Sequence, residues 1–143
     1  MGDAVVSNSA GNADMSELTT LAFSTCRAYE LAGDMERLEG RLAGVAKLAG
    51  EWSDYSAAKS AQVEIAGIYE RVAAKVEDKA LRDRFYQAGI DTNLSLAERA
   101  EKEGDVEMVV KAYRNVTKSA KKIGNRKLFQ ETNKKLKELT TKK

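Results

Sequence analysis

AEKEGDVEMVVKAYRNVTKSAKKIGNRKLFQETNKKLKEL, Ala100 to Leu139, is the stretch that decides the fold. Val106, Val109, Tyr113, Val116, Ala120 and Ile123 recur in it at alternating steps of three and four, the apolar stripe of an amphipathic helix. Gly104-Asp105 stands just before that stripe and Gly124-Asn125 just after it. Glycine can take the left-handed conformation that ends one helix, and Asp or Asn can cap the first amides of the next, so both pairs read as helix-to-helix joints.

The same pattern occurs earlier in the chain. Met35, Leu38, Leu42, Val45, Ala49 and Trp52 each lie 71 positions before their counterparts, and Gly33-Asp34 lies 71 before Gly104-Asp105. The register persists beyond the stripe, with Ala58, Ile65 and Ile68 falling opposite Phe129, Leu136 and Leu139. Residues 33–69 and 104–140 therefore read as two copies of a helix-turn-helix unit. The offset is about twice the period of roughly 34 residues typical of tetratricopeptide repeats.

Helices are also expected before the first copy, running on from its second half, and between the two copies. A D-x-x-E capping box, Asp14 and Glu17, precedes a stripe of Leu18, Leu21, Thr25, Tyr29 and Ala32 that ends at Gly33. A long helix from Tyr55 to Val76 would turn Ala58, Ile65, Tyr69, Val72 and Val76 inward. Another spans Lys79 to Lys102, with Glu77-Asp78 as a weak boundary across which one continuous helix is the alternative. Its apolar set changes phase near Gly89, from Leu81, Phe85 and Ala88 to Ile90, Leu94 and Ala97, which predicts a kink there or a break capped by Asp91. Residues 1–13 are expected to be a disordered segment, 14–140 a single helical-repeat domain and 141–143 a basic tail.

These residues resemble a family. Ala100 to Leu139 is similar to a tetratricopeptide-repeat unit of the longer-spaced kind, on the strength of Gly104-Asp105, Tyr113 nine residues after that Gly, and the turn Ile123-Gly124-Asn125. The earlier copy keeps Leu42 at the aromatic position, and Tyr29 stands where the family commonly has a tyrosine in its first helix. The resemblance covers about half the chain and lacks the family's proline between units. It implies an all-α fold of stacked antiparallel helical hairpins, a tetratricopeptide-like α-α superhelix of five to seven helices. It also implies a scaffold that binds a protein or peptide.

Composition narrows the chemistry. The 143 residues contain no proline, where average usage of about 5% would give roughly seven. They contain no histidine and a single cysteine, Cys26. Without histidine the commonest general base and the commonest metal ligand are missing, so no enzymatic, cofactor or metal site is expected. Cys26 reads as a small core residue in place of a nucleophile. Glu36, Glu39, Glu98, Glu101 and Glu103 alternate with Arg37, Arg41, Arg99 and Lys102 at helical spacing, which describes a solvated, ion-paired surface. Gly40, Ala43 and Gly44, with Gly67, are expected to let two helix backbones approach closely. No signal peptide and no apolar run long enough to cross a bilayer are visible, and the expected location is cytoplasmic, without membrane insertion.

Charge points to the partner. From Lys111 to Lys143 twelve basic residues, mostly Lys, meet only Glu131 and Glu138, a net +10. The whole chain carries +2, so residues 1–110 carry −8. At 100° per residue Lys111, Arg114, Lys118, Lys121 and Lys122 share about 100° of arc opposite the Val/Tyr stripe, and Lys127 and Lys134 repeat the arrangement on the last helix. The expected contacts for a protein or peptide partner, acidic where it meets these cations, are Tyr29, Tyr55, Tyr69, Lys111, Lys118, Lys122, Lys127 and Lys134. The alternative is docking of nucleic-acid phosphates on the same lysines, though no exposed aromatic is expected beside them to stack bases. A solvated face favouring the helix C-termini would also account for the cations. Phe23, off the main stripe of the first helix, suggests a homo-oligomer contact or cover by the N-terminal segment.

Overall fold

A computed structural model describes residues 12–141, with side chains from residue 20 onward. Six helices follow one another among these residues: α1 Asn12–Ala32, α2 Met35–Glu51, α3 Tyr55–Lys75, α4 Lys79–Glu103, α5 Val106–Ile123 and α6 Arg126–Thr141. The fold is all-α, and no strand occurs among the described residues. The expected capping box at Asp14 and Glu17 lies outside the described side chains. The helix already includes Asn12 and Ala13, which the sequence assigned to the N-terminal segment, and the last helix continues to Thr141.

Gly-Asx pairs make three of the joints in the same way. Gly33, Gly104 and Gly124 all sit at φ 75°, a left-handed backbone that costs a residue bearing a Cβ. The amide of the following Asp34, Asp105 or Asn125 reaches back five residues, to the carbonyl of Tyr29, Ala100 or Ala120, at 3.0, 2.9 and 2.9 Å. The same side chains then cap the next helix, accepting from the amides of Arg37, Met108 and Leu128 at 3.3, 3.2 and 3.2 Å. Proline is dispensable at these turns because the Gly-Asx geometry both ends one helix and starts the next.

The remaining joints use other devices. At Trp52-Ser53-Asp54, which corresponds to Ile123-Gly124-Asn125, Trp52 is extended (φ −66°, ψ 135°) and Asp54 accepts from the Ser56 amide at 3.0 Å. The helix-starting bond is nonetheless conserved in register: Ala58 N–H to the Asp54 carbonyl and Phe129 N–H to the Asn125 carbonyl, both 3.0 Å. Between α3 and α4 the chain does break, and Asp78 caps the new helix through the Leu81 amide at 3.0 Å.

The chain divides into two compact units, one ending at Ala61 and one starting at Gln62. In the first, α1 and α2 pack together. Leu38, Leu42, Val45 and Ala49 of α2 are buried, as its stripe requires. The stripe expected on α1 holds only in part. Thr25 and Tyr29 are half-buried, but Leu21 is 63% exposed and Ala32 is exposed, while Cys26 beside them is 1% exposed and Ala22, Phe23 and Glu30 are half-buried around it. Small apolar residues occur all round this helix, so two stripes competed and periodicity alone could not choose between them. Gly40 and Gly44, expected to let a helix backbone approach closely, are exposed, and a Cβ on either would meet nothing within 4 Å, so neither marks a close approach within this unit.

In the second unit α5 packs on α4 and on α6. Met108, Val109, Ala112, Tyr113, Val116, Ser119 and Ala120 of α5 are buried. Helix α4 runs unbroken through Gly89, so the expected break at Asp91 does not occur. The phase change disappears once small and polar residues are admitted to the buried face: Gly89, Thr92 and Asn93 continue it between Phe85-Tyr86 and Leu96-Ala97. At Gly89 two backbones do come close. A Cβ there would stand 3.4 Å from Tyr69 Cβ and 3.8 Å from the Ala66 carbonyl oxygen of α3. Polar links run along the same seam, with the Gln62 amide donating to Ser95 Oγ at 3.2 Å and the Asn93 amide to Glu70 Oε1 at 3.4 Å.

Candidate functional site

Helix α5 is held so that its stripe points into the second unit, which fixes the opposite arc outward. Lys111, Arg114, Lys118, Lys121 and Lys122 are all exposed. At about 1.5 Å of rise per residue, Lys111, Lys118 and Lys122 are spaced at roughly 10 and 6 Å along the axis. Lys121 and Lys122 lie in the last turn, where the carbonyl end of the helix favours cations. Lys127 and Lys134 are exposed on α6.

None of these seven cations makes an ion pair among the described residues. Elsewhere, charged neighbours do pair along their helices, as in Arg27–Glu30 (3.5 Å), Lys79–Asp83 (2.7 Å) and Lys102–Glu98 (3.7 Å). Lys118 feels one acid at longer range. Burial of the Glu70 carboxyl pushes its pKa up, and the Asn93 amide and the Lys118 ammonium oppose that rise.

The tyrosines expected as contacts separate from this arc. Tyr69 is 3% exposed and its ring packs against Phe85 at 6.1 Å between centroids, so it belongs to the core of the second unit and offers no surface. Tyr29 and Tyr55 are half-buried in the first unit, and Lys59 Nζ lies 5.6 Å above the Tyr55 ring. Cys26 is buried, and its thiol pKa is raised chiefly by that burial; Arg41 opposes the rise and Glu30 adds to it. A thiol held protonated in this way is a poor nucleophile.

The sequence reading missed a polar junction at the mouth of the α4–α5 hairpin. Tyr113 is 5% exposed, yet its hydroxyl donates to Glu101 Oε1 at 3.0 Å. Lys135 Nζ of α6 donates to the same phenol oxygen at 3.5 Å and sits 5.2 Å above the ring. Three helices thus meet on one side chain. Burial raises the phenol pKa first and the Glu101 acceptor raises it further, while Lys135 works against both. Glu101 was read as part of a solvated face and Tyr113 as a plain core aromatic. The available signal was Glu101 three residues before the joint Gly, a position that the tight turn lays beside the next helix.

Among the described residues no helix is long and apolar enough to cross a membrane. No family model, curated protein or solved structure matches the chain.

Proposed function

We propose that this chain is a non-enzymatic interaction module of the helical-repeat kind, resembling tetratricopeptide repeats, that docks an acidic segment of a protein partner along the outer arc of α5. The observation that carries this reading is the row of exposed cations Lys111, Arg114, Lys118, Lys121 and Lys122, none of them ion-paired among the described residues. Unpaired surface charge adds little to stability, whereas like charges aligned on one face steer and orient a partner of opposite sign. Lys127 and Lys134 extend the supply of cations on α6, and the setting is cytoplasmic on this reading.

The same lysines support a second reading, contact with nucleic-acid phosphates. Against sequence-reading of bases stands the burial of Tyr113 and the half-burial of Phe129, which leave the α5 cations without an exposed aromatic from this hairpin on which bases could stack.

One experiment addresses both. A labelled oligoglutamate peptide and a labelled single-stranded oligonucleotide are titrated against the wild type and Lys118→Glu/Lys122→Glu. The peptide is expected to bind and to lose at least about tenfold in affinity in the variant, since four units of charge change on one face. Binding of the oligonucleotide alone, with a steep logarithmic salt slope, would transfer the arc to the phosphate reading. Absence of binding to either probe at low salt would overturn both.

A further inference from the structure

A cleft of about 380 Å³ opens beside the Gly104-Asp105 joint, away from the basic arc of α5. Its walls are Val106, Val109 and Leu139, with Val106 55% exposed, and Tyr113 lies against them. Glu101, Asp105, Glu138 and Lys135 complete the lining, a net charge of −2 at neutral pH. We propose that this cleft receives the cationic side chain of a lysine or arginine presented by a partner polypeptide. The proposal does not rest on the α5 reading, and the two surfaces have opposite sign.

Four observations select this occupant. The single cation in the lining is already engaged, because Lys135 donates to the Tyr113 hydroxyl and covers its ring. Asp105 is occupied as a helix cap through the Met108 amide. Glu101 is held in place by the Tyr113 hydroxyl on Oε1, which leaves Oε2 for a ligand. Neither Glu101 nor Glu138 has an ion-pair partner among the described residues. The two carboxylates therefore stand at the edge of an apolar wall with no cation of their own.

The chemistry of the walls removes the alternatives. An anionic ligand would face a net negative lining. A neutral apolar ligand would strip water from Glu101 and Glu138 and return nothing to them. A lysine or arginine places its methylenes on the valines and leucine and its charged head at the carboxylates, which is how these side chains divide between apolar and polar surroundings. Arginine adds a planar fork of donors that can meet a carboxylate with two parallel bonds.

The test uses the full chain, isotopically labelled, and follows backbone amide shifts while Nα-acetyl-arginine amide is added; Nα-acetyl-norleucine amide and Nα-acetyl-glutamate amide serve as controls. Saturable shifts are expected at Val106, Val109, Tyr113 and Leu139 with the arginine probe, and at least about tenfold weaker responses with either control. Glu101→Gln/Glu138→Gln should weaken the arginine probe at least about tenfold while the thermal midpoint and helical circular dichroism stay at wild-type values. Because Gln still accepts from the Tyr113 hydroxyl, a loss of binding then reports charge. No saturable shift with the arginine probe, an equal response to norleucine, or unchanged binding by the Gln variant would each overturn the proposal. Reversal of Lys118 and Lys122 leaves this titration unaltered, so its outcome is separable from that of the α5 surface.

Discussion

Helices α2 and α5 share their starting joints and the register of their inner faces, and differ on their outer faces and in the turn that ends them. Asp34 and Asp105, which start them, have φ/ψ of −86°/77° and −88°/77° and cap the same backbone position. Leu38, Leu42, Val45 and Ala49 are buried in one, and Val109, Tyr113, Val116 and Ala120, 71 residues on, in the other. Yet the positions occupied on α5 by Lys111, Arg114, Lys118, Lys121 and Lys122 are Gly40, Ala43, Lys47, Gly50 and Glu51 on α2, and all ten are exposed. The two helices thus agree in N-cap and buried stripe and disagree in the charge of their exposed faces. Cations present on one helix and, Lys118 excepted, missing from the matched positions of the other are not required by the shared stripe and N-cap, which is why the proposed function gives them to binding.

Substitutions at matched positions can break or sharpen this comparison. The largest effects belong to the shared core: Leu42→Ala and Tyr113→Ala should each destabilise by about 2–5 kcal/mol in urea unfolding, with a cost below about 1 kcal/mol for either showing that the two helices are not equivalent anchors. Next comes a contrast between glycines. Gly89→Leu, forced against Tyr69 and the Ala66 backbone, is expected to cost about 1–3 kcal/mol. Gly44→Leu, in open space on α2, should be neutral or stabilising by up to about 1 kcal/mol. A destabilised Gly44→Leu would restore the close-packing role that the sequence suggested for it. Below the upper end of the Gly89 cost, Gly33→Ala and Gly104→Ala should each cost about 1–2 kcal/mol, because both residues sit at the same positive φ. Unequal losses would mean that only one of the joints is shaped by that turn.

Much of the helix order was legible in the sequence because it is written in local chemistry. The Gly-Asx pairs carry their own geometry, and stripes as regular as Val109-Tyr113-Val116-Ala120 leave one choice of inward face. Legibility failed where an apolar residue count is a poor proxy for burial. On α1, Leu21 and Leu31 at 63% and 72% exposure are the bulkier residues, and the smaller Cys26 is the one enclosed. On α4, Gly89 and Asn93 are buried against residues about 20 positions earlier, which no local window contains, while Thr92 satisfies its hydroxyl on the Ala88 carbonyl within the helix. For the site, the α5 arc followed from helical angle alone. The Tyr113–Glu101–Lys135 junction did not, since it needs three helices brought to one phenol.

On the proposed function, the outer arc of α5 serves binding and contributes little to the fold. Lys118→Glu/Lys122→Glu tests it most directly when affinity for the oligoglutamate peptide and the urea midpoint are measured on the same preparation. Stability from the urea midpoint should change by no more than about 0.5 kcal/mol, as for surface charge elsewhere, with peptide affinity reduced at least about tenfold. Unchanged affinity, or a loss of stability above about 2 kcal/mol, would contradict it.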